Sequence, residues 1–289
     1  MAANLEFRVS FESVSLSRGS FACLVLAVVY VISLYIKKSP LPRNHSKTVK
    51  QRFRRVAFVS LLSPFYVWMW SDPVPGTEVH SLWTFLGLHM NNIIFATFLP
   101  LLLTMILFLG PLALAFSLGT LCHAEDNLKT PSSWMDIKTL RNYVVAPLTE
   151  EFVYRACMLP LLVPSYGVNL SVFVCPLLFG VAHVHHAIEK LEANVEKPKS
   201  ILMETLFQSF YTTVFGAYSA FLFLRTGHLS GPVICHSFCN YMGFPAFEEI
   251  PRSKHPIAIA ALFVIGLVLF LLLLEPLTRP TLYQSIYYS

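Results

Sequence analysis

Three short stretches of this sequence hold polar side chains at spacings suited to catalysis. In the first, Glu150, Glu151 and Arg155 place two carboxylates and a guanidinium within six residues of an otherwise apolar run. Glu151 and Arg155 stand i,i+4 with the acid first, the favoured order for an ion pair on one helix face, and the arginine fork suits a buried carboxylate better than a lysine would. Glu150 points about 100° away from Glu151 around a helix, which frees it to face a cavity. Tyr154 lies one turn on along the Glu150 face, in position to donate a hydrogen bond to it. The second stretch is FGVAHVHH, where His183 follows Phe179 by one turn. The third is HSFCN, where His236 and Asn240 present an imidazole and a carboxamide on one face. A carboxylate and a neutral imidazole sharing a water form a general-base pair. A second imidazole and a carboxamide on a facing helix are donors suited to the oxyanion of a tetrahedral intermediate. Together these groups are equipment for hydrolysing an acyl bond. No serine sits in a nucleophile elbow, and no glycine-rich phosphate loop occurs.

The elements that must position these residues are membrane-spanning helices. Hydrophobic residues make up 55% of the 289 and charged residues 13%, roughly half the charged share of an ordinary soluble domain. The same numbers exclude a disordered chain. The net charge of +5 collects mostly in one short loop, which argues against a nucleic-acid binder. A spanning helix needs about 20 largely apolar residues. Eight such runs occur, at 20–36, 54–70, 98–119, 140–163, 168–187, 203–224, 229–244 and 256–275. The expected fold is therefore an all-α polytopic membrane protein, about eight helices enclosing an intramembrane cavity, with 1–289 as a single domain. The stretch 82–97 reads either as an interfacial segment or as a ninth span.

Basic residues decide between these, because Lys and Arg gather in cytoplasmic loops. With eight spans, 16 of the 21 basic residues fall on one side; a ninth span would divide them 10 against 10. The eight-span reading puts the loop carrying Lys37, Lys38, Arg43, Lys47, Lys50, Arg52, Arg54 and Arg55 in the cytosol. That loop is a topology signal first and a contact for anionic lipid second. The first apolar run is read as a retained span, since Lys37–Lys38 follows it and no small-residue cleavage site does. At 1.5 Å per residue, Glu150, His183 and His236 lie roughly 15, 6 and 12 Å from the cytosolic ends of their helices. Three helices thus converge on one cytosolic half of the membrane.

Neighbouring polar residues have plainer readings. Glu151 with Arg155 reads as a structural pair, His185 and His186 as solvated interface groups, and Glu204 as an edge residue. Asn240 alone would pass for interhelical glue. The six cysteines form no CxxC pair, and those inside spans behave as small hydrophobes.

At these residues the sequence resembles the CAAX prenyl protease 2 family. The motifs are EExxxR at Glu150–Arg155, FxxxH at Phe179–His183 and HxxxN at His236–Asn240, with RTGHLSGPVICHSFCNYMGFP from Arg225 to Pro245 around the last. The resemblance is firm over 145–245, while the first 140 residues match mainly in span pattern. It implies a multi-pass endoplasmic-reticulum protease that opens toward the cytosol and needs no cofactor. Its substrates would be farnesylated or geranylgeranylated CAAX proteins such as small GTPases, cut after the lipidated cysteine to release three residues. It also implies roles: Glu150 as catalytic base, His183 as its partner on the water, and His236 with Asn240 as the oxyanion hole. Glu151 and Arg155 would organise the site.

Four other readings stay open on the residues alone. Glu and several His side chains are zinc ligands elsewhere, although no HExxH occurs. A cysteine nucleophile among Cys157, Cys175, Cys235 and Cys239 is disfavoured by apolar surroundings. Intramembrane Glu, Arg and His also suit a transporter, and a non-catalytic scaffold would keep the fold alone.

Overall fold

The computed structural model describes residues 8–37, 39–74, 80–119, 136–182, 187, 190–191 and 197–288. The chain opens with α1 (Leu16–Ser33), α2 (Ser46–Trp68), the short α3 (Leu82–Phe85), α4 (Ile93–Leu107) and α5 (Leu109–Ser117). A helix of changing pitch follows: α6 (Ile137–Leu140), a π-helical stretch Arg141–Val145, α7 (Ala146–Glu151) and a second π-helical stretch Phe152–Cys157. Then come α8 (Leu159–Ala182), α9 (Pro198–Thr226), α10 (Ser230–Met242), α11 (Pro256–Leu277) and α12 (Pro280–Tyr283). The strands among the described residues are one antiparallel pair of two-residue segments, β1 (Val9–Ser10) and β2 (Asp72–Pro73).

Among the described residues each of the eight predicted runs coincides with helix. On length and apolarity alone α1, α8 and α11 can each cross a membrane, and α4 with α5 qualifies as a single span bent by 65°. The outer faces are apolar: Leu61, Phe116 and Ile257 are 79%, 79% and 86% exposed. That surface has hydrocarbon as its natural solvent. The protein is a polytopic all-α membrane protein. The break expected between 163 and 168 lies at Gly167, whose φ of 70° and ψ of 165° interrupt α8 in a region glycine enters without steric cost.

The stretch 82–97 is not a span. It begins as α3, turns through Asn92 in the left-handed conformation and becomes α4 at Ile93. The turn docks on the α9–α10 connection. Leu229 N–H donates to Gly87 O at 3.1 Å, and His89 Nε2 lies 3.1 Å from Gly227 O. Gly87 has a φ of +68°, and a Cβ there would meet Leu229 N at 2.7 Å; both conformation and space require glycine.

Packing around the pitch-changing helix is close. α8 packs chiefly against α9 and α1, α10 against α4, and α11 against α4 and α5. A Cβ on Gly216 of α9 would stand 2.7 Å from Pro176 Cβ and 2.9 Å from Arg155 Nη2. The missing side chain lets α9 press onto α8 and onto a buried arginine, the usual role of small residues between membrane helices. Two cysteines serve the second π stretch: Cys175 Sγ donates to Tyr154 O at 2.9 Å, and Cys23 Sγ to Met158 O at 3.6 Å. The five described cysteines are free thiols; Cys122 lies outside the described residues.

The docked turn carries its own pH dependence. The rings of His89 and His228 stand 3.9 Å apart between centroids. Burial, then the charge of His89, pushes His228 down to about 4, and burial lowers His89 too. Both folded values lie below the unfolded value of about 6.5, so the unfolded chain binds more protons as pH falls through that range. Stability is therefore present above about pH 6.5 and is lost progressively toward pH 4. Thermal unfolding in detergent should show Tm falling between pH 7 and pH 5, and His228→Leu should flatten that fall. An unchanged slope in the variant would dismiss the pair as its source.

Candidate active site

The site begins with an irregularity in the helix that carries it. Ala146 N–H bonds back to Arg141 O, five residues earlier, and Pro147 has no N–H to offer. The carbonyl of Asn142 is thus passed over by the helix ladder. Asn240 Nδ2 donates to it at 2.9 Å. One side chain from α10 thereby satisfies an orphaned acceptor and is fixed at the wall of a cavity. π turns inside helices often mark functional sites; here the reason is visible in the hydrogen bonds.

Glu151 is the hub behind that wall. It is fully buried, and Arg155 Nε lies 3.2 Å from its Oε2, the i,i+4 ion pair expected from their spacing. Ser219 Oγ from α9 donates to the same oxygen, and His236 Nδ1 from α10 lies 2.7 Å from Oε1. One carboxylate therefore ties the pitch-changing helix to α9 and α10. The guanidinium of Arg155 stacks over Phe179 at 4.4 Å from the ring centroid, a cation–π contact in a desolvated setting. Neither Glu151 nor Arg155 lines the cavity.

Glu150 faces the other way, as one residue of rotation requires. Its side chain is 22% exposed, against 0% for Glu151, and it lines a cavity of about 1240 Å³ together with His236 and Asn240. His236 Nε2 stands 3.9 Å from Glu150 Oε2, beyond hydrogen-bond range. A water 2.8 Å from both atoms fits that gap with an angle of about 88° at its oxygen. Because Nδ1 faces an ion-paired carboxylate, it carries the proton donated to Glu151, and Nε2 turns toward the cavity. The ring is further fixed by Phe215, whose centroid lies 5.0 Å away.

The structure thus brings Glu150, His236 and Asn240 to one wall and sets Glu151 and Arg155 behind them. His183, His185 and His186 lie outside the described residues. The hydrogen bond expected from Tyr154 to Glu150 is not made: among the described residues Tyr154 Oη has no partner. Its ring is instead wedged edge-on between Tyr30 and Phe179, at 5.6 and 5.0 Å between centroids. Tyr30 Oη meets Thr149 Oγ1 at 3.0 Å. Glu204, read as an edge residue, is half exposed and ion-paired with Lys190. Sequence reasoning missed Ser219 and Asn142. Ser219 is one hydroxyl in an apolar helix, a weak signal without its partner, whereas Pro147 five residues after Asn142 was a legible one. As metal ligands, Glu150 and His236 form only two corners, and no group of three or more candidate ligands stands together among the described residues.

The hub sets a stability prediction. Removing one partner of a buried ion pair leaves a bare charge and costs about 3–5 kcal/mol. Arg155→Met should therefore lower Tm by many degrees, and adding Glu151→Gln to it should recover part of the loss. A double-mutant cycle read by thermal unfolding checks this; strict additivity would mean that the pair is not energetically linked.

Comparison with known proteins follows the same residues. Residues 130–242 match the family model described as type II CAAX prenyl endopeptidase Rce1-like. A human protein named CAAX prenyl protease 2 is 52% identical over 276 residues, covering 92% of this chain and 83% of its own length. The proteins of that name from Rattus norvegicus and Arabidopsis thaliana are 47% and 33% identical, over 92% and 95% of this chain and 82% and 94% of theirs. No solved structure matches. With Glu150, Phe179, His236 and Asn240 lining one cavity and identity extending along nearly the whole sequence, this chain belongs to the CAAX prenyl protease 2 family, the Rce1-like type II CAAX prenyl endopeptidases.

Proposed function

We propose that this chain is an intramembrane endopeptidase that removes the last three residues from farnesylated or geranylgeranylated CAAX proteins, small GTPases among them. Family membership supports the reaction class. The observation that carries the chemistry is the pairing of Glu150 with His236 Nε2 across 3.9 Å at the wall of a large cavity. The rest of the lining suits a lipidated substrate: Phe108, Phe215, Phe244 and Phe263 border the same space. Burying a prenyl chain there gains about 0.8 kcal/mol per CH₂.

In this reading a water held against Glu150 loses its proton to that carboxylate as its oxygen attacks the carbonyl carbon after the prenylcysteine. The carbonyl π bond opens and its electron pair becomes an oxyanion. Asn240 keeps a second N–H for that oxyanion, since one is committed to Asn142. His236, given to the oxyanion by the family resemblance, would donate to it from Nε2 in its doubly protonated form, with the ionised Glu151 at Nδ1 as its counter-charge. Collapse breaks the C–N bond, and Glu150 returns its proton to the leaving amine. His183, given to the water by the family resemblance, would share the positioning of that nucleophile. Glu151, Arg155 and Ser219 are positioning residues that fix the tautomer and orientation of His236. The proposed location is the endoplasmic-reticulum membrane with the cavity mouth toward the cytosol, supported by the basic loops and the family.

The test uses purified protein in detergent and a farnesylated CAAX peptide, with the released tripeptide identified by mass spectrometry. Glu150→Gln should lower kcat by about 10²–10⁴ with Tm little changed, and His183→Ala should be similarly inactive. Asn240→Ala should lower kcat by about 10²–10³ with KM nearly unchanged. Full turnover in Glu150→Gln would overturn the base assignment. Activity lost to a chelator and restored by one metal would replace it with a metal-dependent mechanism.

A further inference from the structure

The cavity has a second chemical character that the hydrolytic machinery does not use. Arg43, Arg52 and Arg141 also line it, and they come from three places in the sequence: the α1–α2 loop, the first turns of α2, and the start of the first π stretch. Arg43 is exposed and Arg52 and Arg141 are half-buried, so the three mark the rim of an otherwise mainly apolar cavity. Of the three, Arg43 lies close enough for its charge to act on Glu150.

Their placement is built. Arg141 Nη1 donates to Asn44 Oδ1 and Arg141 Nε to Asn142 Oδ1, both at 2.9 Å. The same Asn142 holds Asn240 through its main-chain carbonyl. One residue therefore connects the arginine-bearing rim to the candidate oxyanion hole. Arg52 is steadied over the ring of Tyr35 at 5.4 Å.

We infer that Arg43, Arg52 and Arg141 form a receptor for the free α-carboxylate at the end of the substrate chain, so that the distance from this receptor to Glu150 sets where the chain is cut. The inference rests on the endopeptidase reading above. An anion recognised here must coexist with a long apolar group in the same cavity, which a prenylated peptide ending in a carboxylate does. Arginine is the residue suited to it, because its fork matches a carboxylate through two parallel hydrogen bonds. The length fits as well. Three extended residues span roughly 10 Å. Arg141 and Glu150 are separated by nine residues of helix, roughly 13 Å of rise, a span of the same order. A chain whose carboxylate is held at the rim thus lays its third peptide bond from the end beside Glu150. The three-residue product is then a measured length and does not depend on the identity of the side chains removed.

The experiment compares two farnesylated CAAX peptides that differ only at the terminus, a free carboxylate against a carboxamide. The purified full chain and its R43Q, R52Q and R141Q variants are assayed on both. The wild type should favour the acid by about 10- to 100-fold in kcat/KM, the range of a charge-assisted contact. That ratio should fall toward one in R43Q and R141Q through loss on the acid. For the wild type alone, KM for the acid should rise with salt while KM for the amide does not, which keeps the test decisive should a variant fail to fold. Equal cleavage of acid and amide by the wild type overturns the inference. So does a preference that survives in all three variants, or one that salt leaves untouched. Loss on both substrates alike in the folded variants would assign the arginines to the lipid surface instead. If the wild type cuts neither peptide, the endopeptidase reading falls and the receptor with it.

Discussion

The structure depends on one buried carboxylate. Glu151 binds Arg155 on its own helix, Ser219 on α9 and His236 on α10, so three elements are located by a single side chain with no access to the cavity. Burying such a charge is costly unless it is paired and hydrogen-bonded. All three partners are needed to satisfy it, and each is thereby held in one geometry. The imidazole of His236 gains its tautomer from this arrangement, with Nε2 turned to the cavity. In the proposed mechanism, chemistry at Glu150 borrows its rigidity from the adjacent residue, which takes no direct part.

Adjacent acids with opposite environments follow from elementary helix geometry. A step of about 100° per residue sends Glu151 into the packed interior and Glu150 to the cavity wall. The π turns on either side of α7 adjust that rotation and release the carbonyl of Asn142, which Asn240 then takes. Glycine at 216 lets α9 approach closely enough for Ser219 to reach Glu151. Backbone irregularity, close helix approach and side-chain placement are therefore aspects of one construction.

Much of this was legible in the sequence because the membrane makes polar residues conspicuous. A carboxylate pair and an arginine amid leucines stand out where they would vanish on a soluble surface, and period 3.6 alone separates Glu150 from Glu151. The eight apolar runs are helices, among the described residues, for the same reason. What stayed hidden depended on partners distant in sequence. Ser219 looks like any hydroxyl in a membrane helix until Glu151 is opposite it. Tyr154 had the right spacing to reach Glu150, yet aromatic packing against Tyr30 and Phe179 captured its ring. The fate of 82–97 turned on Gly87 and His89 meeting the α9–α10 connection, a tertiary contact that no hydropathy pattern contains. Arg43 and Arg52 were visible as topology signals, and only the fold shows that they and Arg141 share a space with Glu150.

The central claim is that Glu150 acts as a base toward water and never bonds to the substrate itself. A single turnover in ¹⁸O-water, with enzyme in excess over a farnesylated CAAX peptide, tests it directly. Direct attack by water predicts one ¹⁸O in the new carboxylate of the prenylcysteine product and none in the enzyme fragment that contains Glu150. Label in that fragment, or an unlabelled product, would show that the Glu150 carboxylate itself attacks the carbonyl and would contradict the account.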